Sequence, residues 1–198
     1  MQGDDVQQCT AFEGNRCLAS GTLPDVVKKV KEAIDRGSEA PVLIFDDRTS
    51  EPVEVDFRGS VEEVLAKLEC PADGAEPAER AEAVPRGPGR PRLGVVAREV
   101  TLLPRHWEWL NTQPGGASVT LRKLVEDARR ARKGQDALRY AQDAAFRFMS
   151  AMAGNLPGFE EATRALYARD PERFERHMDA WPRDIREHVR KISRAVWG

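Results

Sequence analysis

The order of apolar and polar positions divides the chain into four parts. Residues 1–70 contain two stretches of helical periodicity and several short stretches that are typical of strands. Residues 71–94 show no periodic pattern. Residues 95–133 have the pattern of one strand followed by two helices, and residues 134–198 carry helical periodicity only. We therefore predict an α+β protein with a small N-terminal α/β module, a flexible linker, a strand-helix-helix unit and a C-terminal helical bundle.

The N-terminal module has the signals of two helices. Apolar residues recur every three to four positions in residues 23–34, and Pro24 suits the first turn of a helix. Ser60 and Glu63 have the spacing of a capping box, so a second helix is expected to begin there. The predicted strands are residues 10–20, 42–45 and 53–57.

Four acidic residues of this module allow two interpretations. Asp46, Asp47, Glu54 and Asp56 offer the oxygen ligands that calcium and magnesium prefer. The segment lacks the glycine that a calcium-binding loop needs at a fixed place. We therefore interpret the first two acids as turn residues and the other two as the solvent-facing side of a strand. The module is expected to bind a protein or a second copy of itself.

The segment of residues 71–94 contains five prolines and four glycines. Helices and central strands do not tolerate this composition, so a mobile linker is predicted. Within it, Gly89-Arg90-Pro91 lies between Arg86 and Arg92. An extended arginine fits the narrow, negative minor groove of A·T-rich DNA, while glycine allows close approach and proline keeps the arm extended. These residues resemble an AT-hook, and the alternative is an ordinary linker rich in proline, glycine and arginine.

Residues 95–133 have the pattern of a strand that cannot pair within its own unit. Residues 95–103 are mostly β-branched or aliphatic, Pro104 suits a helix start, and a turn at 114–116 precedes a helix that Ser118 is predicted to cap. A lone strand leaves unpaired N–H and C=O groups on both edges, so we expect a second copy of the chain to pair with it. The predicted dimer interface comprises Val96, Val100, Leu102, Trp107, Leu121, Leu124 and Val125.

The order and lengths of these elements resemble the ribbon-helix-helix repressors of the Arc and MetJ type. The matching parts are the strand ending at residues 103–104, the turn at 116–119 and the helix at 121–125. The resemblance implies a two-stranded ribbon in the major groove of DNA. It also implies that the first backbone N–H groups of the second helix, at Ser118 and Val119, hold a phosphate.

The predicted strand offers two alternative faces to DNA, because a shift of one residue exchanges them. One face carries Arg98, Val100 and Leu102, and the other carries Ala97, Glu99 and Thr101. The expected base contact is therefore Arg98 or Thr101, and the ribbon supplies at most one cation to the bases.

The charge distribution agrees with a central DNA-binding part. Residues 1–80 carry 9 Lys and Arg against 18 Asp and Glu, residues 81–133 carry 11 against 5, and residues 134–198 carry 11 against 10. Basic residues gathered in one part of a chain indicate contact with phosphates. The expected phosphate contacts outside the linker are Arg105, Arg122 and Lys123.

The C-terminal part is predicted to be a bundle of short helices. Gly134 is expected to interrupt the preceding helix, and later helices are expected to start at Asp170 and Pro182. Candidate acid-base or metal-binding residues are His177, His188, Glu160 and Glu161. The chain has no HExxH, clustered cysteines, glycine-rich phosphate loop or GxSxG, so we expect no catalysis, metal or cofactor.

Cysteine use and hydropathy indicate a reducing compartment. Cys9, Cys17 and Cys70 are an odd and scattered set, which is typical of a cytoplasmic protein. The polar, acidic start predicts no signal peptide, and no apolar run approaches the roughly 20 residues that cross a bilayer. We expect a cytoplasmic protein without a membrane partner, associated with the nucleoid if it binds DNA.

The whole chain resembles a bacterial family catalogued only as a domain of unknown function. The segments that carry this resemblance are TAF at 10–12 with Gly14, LIFDD at 43–47, GRPRLGV at 89–95, PGGAS at 114–118 and WP at 181–182. The resemblance implies no activity, so the functional hypothesis depends on the residues. It is a homodimeric DNA-binding protein, a transcriptional regulator or DNA-architectural protein, and not an enzyme. The alternative is an interaction or dimerisation adaptor without specific DNA readout, including an antitoxin whose N- or C-terminal module binds a protein.

Overall fold

The computed structural model describes residues 7–37, 40–69, 96 and 98–198. The protein is mixed α+β, with three strands and seven helices among these residues. The elements are β1 Gln8–Glu13, β2 Arg16–Thr22, α1 Leu23–Asp35, β3 Val42–Asp46, α2 Val61–Glu69, α3 Pro104–Thr112, α4 Gly116–Ala153, α5 Phe159–Ala168, α6 Pro171–Met178 and α7 Arg183–Trp197.

The chain divides into two compact units. Met1–Ala72 and Gly134–Gly198 form one unit, which we call the sheet-helix unit. Asp73–Lys133 forms the other, which we call the helix-pair unit. The division falls within α4, so this helix contributes residues to both.

The three strands form one antiparallel sheet in the order β2-β1-β3. The predicted extended segment at residues 10–20 is a hairpin, and Gly14 at its turn has φ 56°, a conformation that glycine adopts without strain. The predicted strand at 42–45 is confirmed by β3. The predicted strand at 53–57 is wrong, because pairing stops after a single bridge between Phe45 and Pro52. Proline has no N–H to donate to a ladder.

Both helices predicted in the N-terminal part are confirmed, together with their start signals. The hydroxyl of Thr22 accepts a hydrogen bond from the N–H of Asp25 at the start of α1. The capping box of α2 is complete: Ser60 N–H donates to Glu63 Oε2 at 2.8 Å, and Glu63 N–H donates to Ser60 Oγ at 3.3 Å. These caps satisfy N–H groups that the helices themselves leave free.

The sheet has a hydrophobic core on each face. Successive strand residues point to opposite faces, so Ala11 and Ile44 pack with α1 and α2 on one side. Phe12 and Phe45 pack on the other side against Phe148 of α4, with ring centroids 5.3 and 5.1 Å from it. The N-terminal strands and the C-terminal helices thus share a core, whereas the sequence suggested separate modules.

The helices predicted in the C-terminal part are present, but Gly134 does not interrupt the helix before them. α4 runs from Gly116 to Ala153 without a break. A single glycine costs a helix only about 1 kcal/mol, and the neighbouring residues are good helix formers. Asp170 caps α6 by accepting a hydrogen bond from Arg173 N–H at 3.0 Å. None of the described helices is both long and apolar enough to pass through a bilayer.

The helix-pair unit contains the two helices predicted for it. α3 begins at Pro104, as expected, and α4 begins at Gly116. Ser118 is therefore not the cap of α4 but lies inside its first turn, which corrects the prediction. The predicted strand at 95–103 is also wrong for the single chain, since Val96 and residues 98–103 form no ladder. Without a partner strand, the backbone N–H and C=O groups of an extended segment have no hydrogen bonds that fix it as a strand.

Candidate functional site

The described residues of the helix-pair unit expose many large apolar side chains. The described part of the chain has twelve exposed large hydrophobic side chains, and seven of them belong to this unit. They are Val96, Val100, Leu103, Trp107, Trp109, Leu124 and Val125. Leu110 is the only buried hydrophobic residue described between positions 96 and 133. One buried apolar side chain is too little for a core of its own, so these described residues leave an apolar surface exposed.

Of the residues predicted at the dimer interface, five are well exposed and two are half-buried. The half-buried ones are Leu102 and Leu121. On α4, Leu121, Leu124 and Ala128 recur at intervals of three and four and therefore share one side of the helix. The two apolar residues Leu124 and Val125 lie next to each other on the described surface.

The described cations of the helix-pair unit, between positions 98 and 133, are exposed. Arg98, Arg105 and Lys123 form no ion pair with any described residue, and Arg122 donates from Nε to the carbonyl oxygen of Ser118 at 3.1 Å. Their charges are therefore available to a ligand. The neighbouring Arg129 and Arg130 are instead paired with Glu126.

Part of the charge on α4 lies along one stripe of the helix. Arg122, Arg129 and Lys133 recur at intervals of seven and four, which places them along one stripe. Ser118 and Val119, the predicted phosphate contacts, lie in the first turn of the same helix. Thr101 is exposed in the segment before α3. The hook residues Arg86, Gly89, Arg90, Pro91 and Arg92 lie outside the described residues.

A second candidate site is a polar cleft within the sheet-helix unit, with a volume of about 370 Å³. One wall is α7, where Asp184, Glu187, His188 and Lys191 follow the i, i+3, i+4, i+7 spacing of one helix face. The opposite wall is formed by strand residues Thr10, Cys17 and Ser20. The volume is within the range of small-molecule sites, about 300–1,000 Å³.

Hydrogen bonds fix the walls of this cleft. Thr10 Oγ1 donates to Asp47 Oδ1 at 2.6 Å and lies 3.0 Å from Ser20 Oγ. Lys191 Nζ donates to the second oxygen of Asp47 at 2.6 Å. The backbone N–H of Cys17 donates to Asp184 Oδ2 at 2.8 Å. Thr10 of β1 is thereby connected to α7 through Asp47 and Lys191, and Cys17 of β2 is connected to α7 through Asp184.

His188 lies on the wall of the cleft with an unsatisfied nitrogen. The residue is 6% exposed, and its Nε2 has no hydrogen-bond partner. Its ring packs against Phe148 at 4.4 Å and Phe12 at 5.3 Å between centroids. Burial lowers the pKa of His188 to about 4, so the imidazole is neutral at physiological pH. The neutral ring therefore packs in the aromatic core without the cost of a buried charge.

The two described cysteines are not activated. Cys17 is a free cysteine with an exposed side chain. Partial desolvation of its thiol, with the nearby Asp184 carboxylate, raises its pKa. Burial raises the pKa of Cys9 to about 11. Nucleophilic cysteines need a lowered pKa, so the cleft lacks the electrostatics of a thiol enzyme.

Three of the four acids considered for a metal site, Asp46, Asp47 and Asp56, have other partners. Asp46 Oδ1 accepts hydrogen bonds from the N–H groups of Arg48 and Thr49, as an acid in a turn does. The hydrogen bond from Arg58, with that from Lys67, lowers the pKa of Asp56. No group of three His, Cys, Asp or Glu side chains in the described ranges is arranged to hold a metal ion.

His188 was predicted from the sequence as a candidate site residue, but the residues around it were not. The signal was the repetition of Asp184, Glu187, His188 and Lys191 on one side of an amphipathic helix. A stripe of acidic and basic residues on a helix most often faces solvent, so the spacing alone did not distinguish the wall of a cleft from an ordinary exposed helix face. His177, the other histidine considered, is not among the residues that line the cleft.

The described residues form an α+β protein with a three-stranded antiparallel sheet, seven helices and a polar cleft. The chain belongs to the family described as "Uncharacterized protein conserved in bacteria (DUF2239)", whose model matches residues 8–193. No curated protein and no solved structure matches the chain.

Proposed function

We propose that this protein is a homodimeric DNA-binding protein, a transcriptional regulator or DNA-architectural protein, which uses the helix-pair unit for both dimerisation and DNA contact. The observation that carries the proposal is the surface of this unit between residues 96 and 133. It combines seven exposed large hydrophobic side chains with exposed cations, around one buried leucine. An apolar surface of this kind needs a partner, and a basic one attracts phosphates.

A second copy of the chain is the partner that fits the apolar surface. Residues 96–102 in each copy can pair as an antiparallel two-stranded ribbon, which would satisfy the backbone groups that form no ladder at the described residues 96 and 98–102. The ribbon then brings Val100 and Trp107 of both copies together with Leu124. A protein of this kind resembles the ribbon-helix-helix repressors, whose ribbon lies in the major groove.

DNA is the ligand that fits the cations. Arg105, Arg122 and Lys123 are exposed and point to no acidic partner among the described residues. In a dimer they are doubled, giving six cations for phosphates of one site. The linker adds Arg86, Arg90 and Arg92 to each copy, in a motif that resembles a minor-groove hook.

The test is the double variant Arg90→Ala, Arg92→Ala in the full chain. We expect it to bind an A·T-rich duplex at least tenfold more weakly than the wild type while sedimenting as the same dimer. The matched control is Arg164→Ala, Arg173→Ala, which removes two exposed arginines of the sheet-helix unit and should change affinity by less than twofold. Equal losses in both variants, or no loss in either, contradict a specific role for the hook.

A protein-interaction adaptor is the second candidate function. Glu99, exposed in the predicted ribbon, would repel phosphates, and this residue together with Val96 and Val100 favours a protein ligand. This function predicts that the dimer forms without measurable affinity for any duplex. An antitoxin, with a toxin bound by the sheet-helix unit, is one form of it.

A further inference from the structure

Helix α4 is anchored by buried side chains only over its C-terminal part. All of its buried residues lie between Gln142 and Ala153. Gln142 Nε2 donates to the carbonyl oxygen of Leu166 at 3.1 Å, and Leu138 is the first residue of α4 that packs against the core around Phe148. Helices in proteins obtain most of their stability from such packing. The part of α4 before Leu138 therefore depends mainly on its own backbone hydrogen bonds.

Gly134 lies one helical turn before the anchored part begins. Glycine weakens a helix more than any residue except proline, because it has the most backbone freedom to lose. A close neighbour can require glycine inside a helix, but a Cβ at Gly134 would meet nothing within 4 Å. The boundary between the two compact units also falls between Lys133 and Gly134. The weakest point of α4 thus coincides with this boundary, and packing does not explain the glycine.

The residues around Gly134 carry the signals of one helix end and of another helix start. Arg130, Arg132 and Lys133 precede the glycine, and cations in the last turn stabilise the C-terminal end of a helix. Glycine is the preferred residue just after that end, since it adopts the left-handed conformation without strain. Asp136 follows, and aspartate is a preferred N-cap. In the continuous helix, its carboxylate has no partner among the described residues.

We propose that Gly134 is a hinge at which α4 opens into two shorter helices. In the open state, Gly134 is left-handed and ends the first helix, and the Asp136 carboxylate caps the second by accepting from the N–H of Arg139. The residues up to Lys133 then change direction while those from Leu138 onward keep their packing. The proposal goes beyond DNA binding and does not depend on it, because it concerns the backbone of a single helix.

Amide hydrogen exchange of the full chain, measured residue by residue by NMR and corrected for intrinsic rates, tests the hinge. The N–H groups of residues 135–138 lose their acceptors in the open state. We expect them to exchange at least tenfold faster than those of residues 124–130 and 144–149. Simple fraying gives another pattern, in which protection rises steadily from Gly116 towards the anchored end. Such a gradient, without a local minimum of protection at 135–138, overturns the proposal.

Gly134→Ala should close the hinge. Alanine favours the helix and disfavours the left-handed conformation, and the open space around Gly134 accepts its methyl group. We expect exchange at residues 135–138 to slow at least fivefold, while exchange at residues 144–149 changes by less than twofold. Unchanged exchange at 135–138, or the same slowing at both places, overturns the proposal.

Two substitutions of Asp136 separate its capping role from a change in helix propensity. Asparagine and valine have helix propensities similar to that of aspartate, but only asparagine can cap a helix. Asp136→Asn should therefore leave exchange at residues 135–138 within twofold of the wild type. Asp136→Val should slow it at least threefold, because the open state loses its cap. Equal exchange rates in the two variants overturn the proposal.

Discussion

The Nζ of Lys191 lies 2.6 Å from Oδ2 of Asp47, which joins residues 144 positions apart in the chain. The other oxygen of Asp47 accepts the hydrogen bond from Thr10. One carboxylate thus connects β1, the turn after β3 and α7. Because the same segments share the aromatic core of Phe12 and Phe148, we expect the N-terminal strands and C-terminal helices to unfold together.

Replacing Thr10 with valine tests this connection. Thr10 is 1% exposed, and the substitution removes the donor to Asp47 without changing side-chain volume. We expect the free energy of unfolding in urea to fall by about 1–3 kcal/mol, since the partly buried Asp47 carboxylate loses one of its hydrogen-bond donors. Thr163→Val is the matched control. Its hydroxyl is buried without a partner, so the same change should be neutral or stabilising. Equal destabilisation by both variants contradicts the importance of the network.

His188 predicts a pH dependence of stability. Its pKa is lowered from 6.5 to about 4 in the folded protein, so the unfolded chain binds more protons between these values. The contribution of the neutral His188 imidazole to the free energy of unfolding is fully present above about pH 6.5 and is lost as the pH falls towards 4. This contribution is on the order of 3 kcal/mol. Carboxylates titrate in the same range, so the measurement is the difference between wild type and His188→Gln at each pH. A difference that does not change with pH contradicts the shift.

Two glycines predict opposite results for the same substitution. Gly158 has φ 80°, and a Cβ there would lie 2.5 Å from the carbonyl oxygen of His177. Gly158→Ala should therefore destabilise the protein by about 1–3 kcal/mol. Gly134 lies inside α4 with open space around it, so Gly134→Ala should stabilise by about 0.5–1 kcal/mol. Thermal unfolding of both variants measures whether each substitution raises or lowers the melting temperature. A higher melting temperature for Gly158→Ala contradicts the close approach of the start of α5 to α6.

The helices were predictable from sequence because their signals are local. Pro104, Asp170 and the Ser60-Glu63 pair mark helix starts by their own chemistry. The errors concern features that depend on distant residues. Val53 can begin a strand only if a neighbouring strand continues to pair with it, and this pairing stops at Pro52. The burial of residues 53–57 still alternates although they form no strand.

The candidate sites were predictable only in part. The exposed apolar and basic character of residues 96–133 follows from composition and spacing, which are visible in the sequence. The cleft is not, because Thr10 and Lys191 meet only when the sheet and α7 pack together. Likewise, the neutral state of His188 results from burial between phenylalanines contributed by β1 and α4.

Val125→Glu tests the proposed dimer surface. Val125 is 65% exposed in the single chain, so the change should not reduce the stability of one copy, but it places a charge within the proposed interface. We expect the dimer dissociation constant, measured by sedimentation equilibrium, to rise at least 100-fold. Tyr140→Glu is the control, since Tyr140 is 75% exposed on the same helix outside the helix-pair unit. A dimer weakened by the Tyr140 variant and not by the Val125 variant contradicts the assigned surface.

The central claim is that the helix-pair unit neutralises DNA phosphates as a dimer. The most direct measurement is the affinity of the wild-type chain for an A·T-rich duplex as a function of salt concentration. Each neutralised phosphate contributes about −0.9 to the slope of log K against log salt, so the six cations of the two helix-pair units predict a slope of about −5, and the hook arginines of the two linkers make it steeper. An affinity that does not fall with salt, or no binding at low salt, would contradict the account.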